Sequence, residues 1–332
     1  MRIGILGAAR IAPAALIRPA ADVAGTEVTA IAARDRARAR SFAKRHGIPR
    51  VLDGYRDVVA DREVDAVYVP LPNGLHGRWT IAALEAGKHV LCEKPFTADA
   101  GEARHVASVA AAHPQLVVME AFHYRYHPVA RRMREIVESG ELGTIRRIDT
   151  AMCVPLPRPG DIRYRLDLAG GATMDVGAYA LDMARLLAAD EAGTLAVRSA
   201  RATLARPGVD RAMTARLGTA GGIDVTIACS LWSRRLLSIR ARVSGDAGSL
   251  AVLNPVAPHY LHRIRVRAAG GARTETLDRT PTYTWQLRAF EAAVCRGAAV
   301  ETGPEASVAV MELIDAVYRA AGLQPRSPST QV

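Results

Sequence analysis

Short, nearly unbroken apolar runs alternate with amphipathic stretches through the first third of the chain. Ile3–Leu6, Val28–Ala33, Val51-Leu52, Ala66–Val69, His89–Cys92 and Val117–Glu120 read as strands. Between them, Ile11–Ala24 (broken near Pro19), Arg36–His46, Tyr55–Ala60, His76–Ala86 and Ala98–Ala112 read as helices. Strands without polar alternation, separated by amphipathic helices, predict a parallel sheet covered on both faces. The expectation is a doubly wound α/β domain over residues 1–121.

After Ala121 the period changes. A helical stretch at Val129–Ser139 precedes Ile145–Met152, which alternates as a half-buried strand does. A loop rich in proline and arginine runs from Val154 to Arg165, and a Gly170-Gly171 turn leads into a helix at about Val176–Leu187. Val197–Leu204, Ala212–Leu217, Ile223–Ser230, Leu236–Val243, Ser249–Val252 and Ile264–Val266 follow as strands divided by turn residues. Strands in succession predict a mostly antiparallel sheet, so residues 122–332 are expected to form an open-sheet α+β domain. Helices near Trp285–Arg296 and Glu305–Ala321 close it, with a frayed tail from Gln324 to Val332.

Three turns in the first domain carry candidate chemistry. Gly7-Ala8-Ala9-Arg10-Ile11 follows the first strand and opens a helix, the setting of a dinucleotide fingerprint, with alanine at the expected second glycine. Gly7 permits the tight turn, and small Ala8 and Ala9 let backbone amides approach a pyrophosphate. A plain strand-to-helix turn would look similar. At the end of the second strand, a carboxylate such as Asp35 suits the ribose hydroxyl of NAD, whereas Arg34, with Arg38 one turn further on, suits the 2′-phosphate of NADP. NADP is the expected cofactor, with NAD possible. Pro70-Leu71-Pro72-Asn73, before His76, forms a rigid turn in which Asn73 caps the next helix, reaches the nicotinamide side of a cofactor, or does both. The apolar run ending at Glu93-Lys94-Pro95 places a carboxylate and one of only three lysines at a strand's carboxyl end, where α/β sheets bind ligands. An ordinary ion pair before a turn proline is the plainer reading.

Composition narrows the classes. The 332 residues carry a net charge of +11, but the arginines are spread among acidic residues and no nucleic-acid-binding signature accompanies them. Cys92, Cys153, Cys229 and Cys295 lie far apart, which suggests neither a disulfide framework nor a metal site. No run approaches the roughly 18 apolar residues of a membrane span, and the first residues enter a strand rather than a leader, so a cytoplasmic protein is expected.

Together these motifs, with Ala86-Gly87-Lys88-His89-Val90-Leu91-Cys92-Glu93-Lys94-Pro95 and Gly170-Gly171-Ala172-Thr173-Met174-Asp175-Val176-Gly177-Ala178-Tyr179, resemble the glucose–fructose oxidoreductase and inositol dehydrogenase family. Glu120-Ala121-Phe122-His123-Tyr124-Arg125-Tyr126-His127-Pro128 and Tyr179 are similar to its branch of dimeric dihydrodiol dehydrogenases and NADP-dependent D-xylose 1-dehydrogenases. Many relatives carry histidine where this chain has Tyr179, which leaves the sugar or diol open. The resemblance implies hydride transfer between a nicotinamide and a hydroxyl- or carbonyl-bearing carbon, with Lys94 beside that carbon and Tyr179 exchanging the proton. It also implies a cis Lys94–Pro95 bond and a homodimer or homotetramer formed through the second sheet. Asp175 is expected either to orient a substrate hydroxyl or to cap its helix. Phe122, His123, Arg125, His127 and Arg163 are candidates for the substrate, and His127 equally for a helix entry. Glu93 is a candidate for the cofactor or for neutralising a neighbouring cation, and Tyr283 and Trp285 for packing. The rival classes are a non-catalytic NADP-binding sensor, which would not need Lys94 and Tyr179 to act together, and a nucleic-acid-binding module.

Overall fold

Parallel pairing in the first sheet follows from strands that are apolar on both faces. The computed structural model describes residues 1–158 and 160–330; Pro159 in the proline-rich loop and the last two residues of the tail lie outside the described residues. Elements run in the order β1 (Arg2–Leu6), α1 (Arg18–Asp22), β2 (Glu27–Ala32), α2 (Arg36–His46), β3 (Arg50–Val51), α3 (Tyr55–Ala60), β4 (Ala66–Val69), α4 (His76–Glu85), β5 (His89–Cys92), α5 (Ala100–Ala111) and β6 (Val118–Glu120). Strand order β3-β2-β1-β4-β5-β6, all parallel, is the doubly wound arrangement, and its order reverses between β1 and β4. Ile3, Ile5, Val67, Val69 and Val90 are fully buried, each contributing about 1.5–3 kcal/mol of apolar burial.

The chain continues through α6 (Pro128–Glu138), β7 (Ile145–Cys153), α7 (Ala178–Ala188), β8 (Ala196–Arg206), β9 (Val209–Gly218), β10 (Asp224–Ser230), β11 (Ser238–Gly245), β12 (Ser249–Leu253), β13 (Arg263–Ala268), β14 (Gly271–Glu275), α8 (Thr282–Arg296) and α9 (Pro304–Ala320). The second sheet has the order β14-β13-β12-β11-β7-β10-β9-β8 and is antiparallel except where β7 and β10 pair in parallel. β14 was not legible in the sequence, because Gly271–Glu275 carries no apolar alternation and is exposed along its length save at its last residue.

Alternation sorts that sheet into two faces. Ile148, Met213, Leu217, Val225, Val243, Leu250 and Val266 share the buried face, and α7 packs on β7 and β10, with all of its residues but Arg185 buried, as expected of a helix inside a core. Thr150 Oγ1 donates to the Ala180 carbonyl at 2.7 Å and pins α7 to β7. By register, Arg216, Arg147, Arg242, Arg263, Arg265 and Arg267 share the opposite face, where they are exposed.

Contacts divide the chain into one unit of Met1–His123, Tyr283–Val308 and Pro328–Val332, and another of Tyr124–Thr282 and Ala309–Ser327. Nothing in the sequence marks Tyr283–Val308 as a return to the nucleotide unit. The tail is not frayed in its described part. Arg326 is 3% exposed and pairs with fully buried Asp210 at 2.9 Å, and Ser329 N–H donates to the Gly74 carbonyl at 2.7 Å. An ion pair 116 residues apart in sequence leaves no local signal.

Candidate active site

The dinucleotide turn is built as the fingerprint requires. Gly7 sits at φ 98°, and its N–H donates to the Ala32 carbonyl at 2.7 Å. The positive φ favours glycine, and a Cβ there would press on Leu71 Cδ2 at 3.1 Å. Ala8 is buried, Ala9 is half-buried, and Arg10 and Ile11 are exposed. The helix begins later than Ile11, at a wide turn over Pro13–Ile17 that runs directly into α1. Pro19 does not interrupt it. Pro19 stands where the wide turn gives way to α1, and the backbone is helical on both sides of it.

At the end of β2, Asp35 caps α2 by accepting from Arg38 N–H at 3.0 Å. Arg38 Nη2 donates to the Ala8 carbonyl at 2.8 Å and ties this loop to the glycine turn. Arg34 is exposed, and burial raises the Tyr55 pKa against the opposing charges of Arg34 and Arg38. A small-residue cradle beside two guanidiniums, with Asp35 engaged as a helix cap, fits a phosphorylated dinucleotide.

Asn73 does not cap α4. It opens a 3-10 turn over Asn73–Leu75, and the N-cap is Leu75, which makes no side-chain cap bond. Pro70 and Leu71 are buried, and Pro72 and Asn73 half-buried. His76 is 1% exposed, with Nδ1 2.7 Å from the Pro95 carbonyl and Nε2 2.7 Å from the Leu71 carbonyl. Both ring nitrogens are engaged within the protein, so His76 joins the two loops rather than reaching outward. Burial pushes its pKa down while the two carbonyls favour the cation.

Lys94 follows β5 at its carboxyl end, half-buried, on a cis Lys94–Pro95 bond. Glu93 accepts from Tyr68 O–H at 2.7 Å. Lys88 Nζ is engaged by the Asp61 and Val64 carbonyls at 2.7 Å, and Lys44 lies in the last turn of α2. Phe122 and His123 are buried just beyond β6, and His123 packs on Tyr283 with ring centroids 4.2 Å apart.

The second unit gathers a separate set. Tyr179 is 6% exposed near the start of α7, with its ring centroid 6.1 Å from that of Tyr124. Asp182, one turn on, accepts from Tyr124 O–H and pairs with Arg125 Nη1 at 3.0 Å. Burial, then the Asp182 charge, pushes the Tyr124 phenol up. Asp182 escaped the sequence reading, although its i+3 spacing from Tyr179 was available as a signal. Asp175 is not a helix cap: it lies within a π turn at Thr173–Gly177 capped by Ala172, and it accepts from Arg163 Nε at 2.9 Å. Arg163 also pairs with Asp161 at 3.0 Å, and the Asp175 charge is the main cause of its raised pKa. His127 is the entry residue of α6, accepting from Val129 N–H at 3.1 Å. Burial, and next the neighbouring His262, hold its pKa down at about 4.

Comparison with known proteins gives the family. Residues 1–121 match the oxidoreductase family with an NAD-binding Rossmann fold, and residues 130–251 match the GFO/IDH/MocA C-terminal domain. The chain is 38% identical to D-xylose 1-dehydrogenase (NADP(+)) 2 of Haloferax volcanii, covering 97% of both chains. It is 32% identical to a trans-1,2-dihydrobenzene-1,2-diol dehydrogenase of Macaca fascicularis over 69% of this chain and 67% of that one. A 3-ketoreductase from Actinomadura kijaniata, solved with NADP and TDP-benzene, superimposes with a TM-score of 0.88 at 31% identity, covering 96% of this chain and 97% of that one. With both halves matched and full-length relatives of this similarity, the chain belongs to the GFO/IDH/MocA oxidoreductase family.

Proposed function

We propose that the protein is an NADP-preferring dehydrogenase or reductase that moves a hydride between the nicotinamide and a hydroxyl- or carbonyl-bearing carbon of a sugar, polyol or vicinal diol. The observation that carries this reading is the positive-φ Gly7 turn with Arg38 bonded to it and Arg34 beside it. The relatives named above, a xylose dehydrogenase, a diol dehydrogenase and a ketoreductase, support the substrate class.

Within this reading, residues 1–121 with the returning Tyr283–Val308 hold the dinucleotide, and the rest of the chain supplies the substrate side and the assembly. Gly7 to Ile11 hold the pyrophosphate, Arg34 and Arg38 the 2′-phosphate, and Pro70 to Asn73 with Glu93 the nicotinamide half. The cofactor supplies or accepts the hydride. Lys94 stands beside the reacting carbon and Tyr179 exchanges the proton. A phenol is a weak base near neutrality, and the charge of an ammonium in the same site favours its ionised form. Asp175, held by Arg163, orients a substrate hydroxyl, and Phe122, His123 and Arg125 are further candidates for the substrate. Solved forms of the Actinomadura ketoreductase include one with a tyrosine replaced by phenylalanine and one with a lysine replaced by alanine, the same two residue types.

We read the assembly as a homodimer or homotetramer through the open face of the second sheet, and the location as cytoplasmic. No helix among the described residues is long and apolar enough to cross a membrane. The deciding experiment is a screen of aldoses, inositols, vicinal diols and keto-sugars, including nucleotide-linked ones, with both nicotinamide cofactors in both directions. Turnover with NADP on a member of these classes is expected. Tight NADP binding with no turnover of any class would favour a sensor.

A further inference from the structure

We propose that the side-chain amide of Gln286 binds the nicotinamide carboxamide, a contact that rests on the dinucleotide reading above and adds a residue from outside the nucleotide-binding motifs. Gln286 is fully buried, yet neither Oε1 nor Nε2 has a hydrogen-bond partner among the described residues. A primary amide in a protein interior normally satisfies such atoms. Its buried neighbours on α8 are Thr282, Thr284, Leu287 and Phe290, and none of them meets either atom.

Position supplies the second argument. Tyr283 lies three residues before Gln286, on the same helix face, and packs on His123, which stands just past the carboxyl end of β6. The β5–β6 register sets Cys92 beside Glu120, so β6 ends next to the strand that leads into Lys94. The start of α8 is therefore anchored at the carboxyl edge of β4-β5-β6. In a doubly wound sheet that half receives the nicotinamide mononucleotide, while the half holding Arg34 and Arg38 receives the adenosine. A carboxamide matches an unmet carboxamide, since each offers one N–H and one carbonyl to the other. Tyr283–Val308 belongs to the nucleotide unit, which gives this helix a reason to return there.

The test uses the full chain, as wild type and as Gln286→Leu. Three ligands are titrated calorimetrically: NADP⁺, its 3-acetylpyridine analogue, which lacks the amide N–H, and 2′,5′-ADP, which lacks the nicotinamide altogether. Gln286→Leu should leave the ligand-free melting midpoint unchanged or higher, because it removes a buried amide that the protein itself does not satisfy. It should weaken NADP⁺ by ~10-fold or more, spare 2′,5′-ADP, and abolish the wild-type preference for NADP⁺ over the analogue. Wild-type affinity for NADP⁺ in the variant overturns the proposal. A lowered ligand-free midpoint with all affinities intact does so too, because it would assign Gln286 to a buried structural water. Should the variant fail to fold, equal wild-type affinities for NADP⁺ and the analogue would overturn it. If the wild type binds none of the three, the cofactor reading itself falls and this contact with it.

Discussion

Removing the guanidinium of Arg326 should destabilise the second unit severely, and the structure sets the size. Asp210 is 0% exposed and accepts from Arg326 Nη2 at 2.9 Å, from Tyr318 O–H at 3.0 Å, and from both N–H and Oγ1–H of Thr173 at 2.7 Å. Arg326 also donates to the Gly170 carbonyl at 2.7 Å and stacks 4.0 Å from the Tyr318 ring centroid. A Cβ on Gly171, at φ 143°, would run into Asp210, Tyr318 and Arg326, so the cluster is packed as well as charged. In Arg326→Met the carboxylate remains buried with no counter-charge, which costs about 3–5 kcal/mol. The double variant Arg326→Met, Asp210→Leu strands no charge, although the N–H and hydroxyl of Thr173, the Tyr318 hydroxyl and the Gly170 carbonyl lose a partner, and replacing a buried ion pair by apolar side chains is often close to neutral. The double variant should thus be more stable than Arg326→Met alone. Because this cluster holds the start of the turn that carries Asp175 and leads to Tyr179, amides of residues 171–177 should exchange faster in the single variant. Urea unfolding and hydrogen exchange measure both effects. An Arg326→Met cost below about 1 kcal/mol, or simple additivity of the two substitutions, would refute the reasoning.

Three further outcomes follow from other sites. Burial raises the Glu102 carboxyl to about 7, so its contribution to stability is present below the ordinary carboxylate pKa and is lost as pH rises through about 7. Glu102→Gln should therefore stabilise the chain by ~2–3 kcal/mol at pH 8 and hardly at all near pH 4, and an equal effect at both pH values in thermal melts would contradict the assignment. Arg34→Ser should weaken NADP by ~1.5–3 kcal/mol while sparing NAD, and equal losses for the two cofactors in titration calorimetry would remove Arg34 from the 2′-phosphate. The exposed arginines of the open sheet face repel a second copy of that face, so sedimentation should show association strengthening as salt rises; weakening by salt would place the interface elsewhere.

Local pattern sufficed where local physics decides. The spans of α2, α3, β4 and β5 coincide with their expected ranges, because each is bounded by its own turn or capping residue. The Gly7 turn and the carboxyl-end position of Lys94 were legible for the same reason. What stayed hidden depends on partners distant in sequence. Asp210 and Arg326 look like surface charges until the fold joins them. Asn73 and Asp175 carry good capping side chains, but a 3-10 turn and a π turn intervene before their helices, and neither turn has a sequence signature strong enough to read. β14 is held by pairing with β13 rather than by apolar alternation, and α8 returns to the nucleotide unit without any change in composition.

The central claim, that Tyr179 exchanges a proton during hydride transfer tuned by Lys94, is tested most directly by kcat of Tyr179→Phe across a pH series with the true substrate, alongside cofactor Kd. The substitution removes one hydroxyl from a side chain that otherwise stays packed against Tyr124, so cofactor affinity should hardly change. Turnover should fall by ~10²–10⁴-fold, the usual worth of a positioned acid–base group. Lys94→Ala should be at least as damaging, and combining the two should add little because they act as one unit. Near-normal turnover of Tyr179→Phe at every pH would contradict the account and move the proton-transfer role elsewhere, with His123 and His127 the next residues to replace.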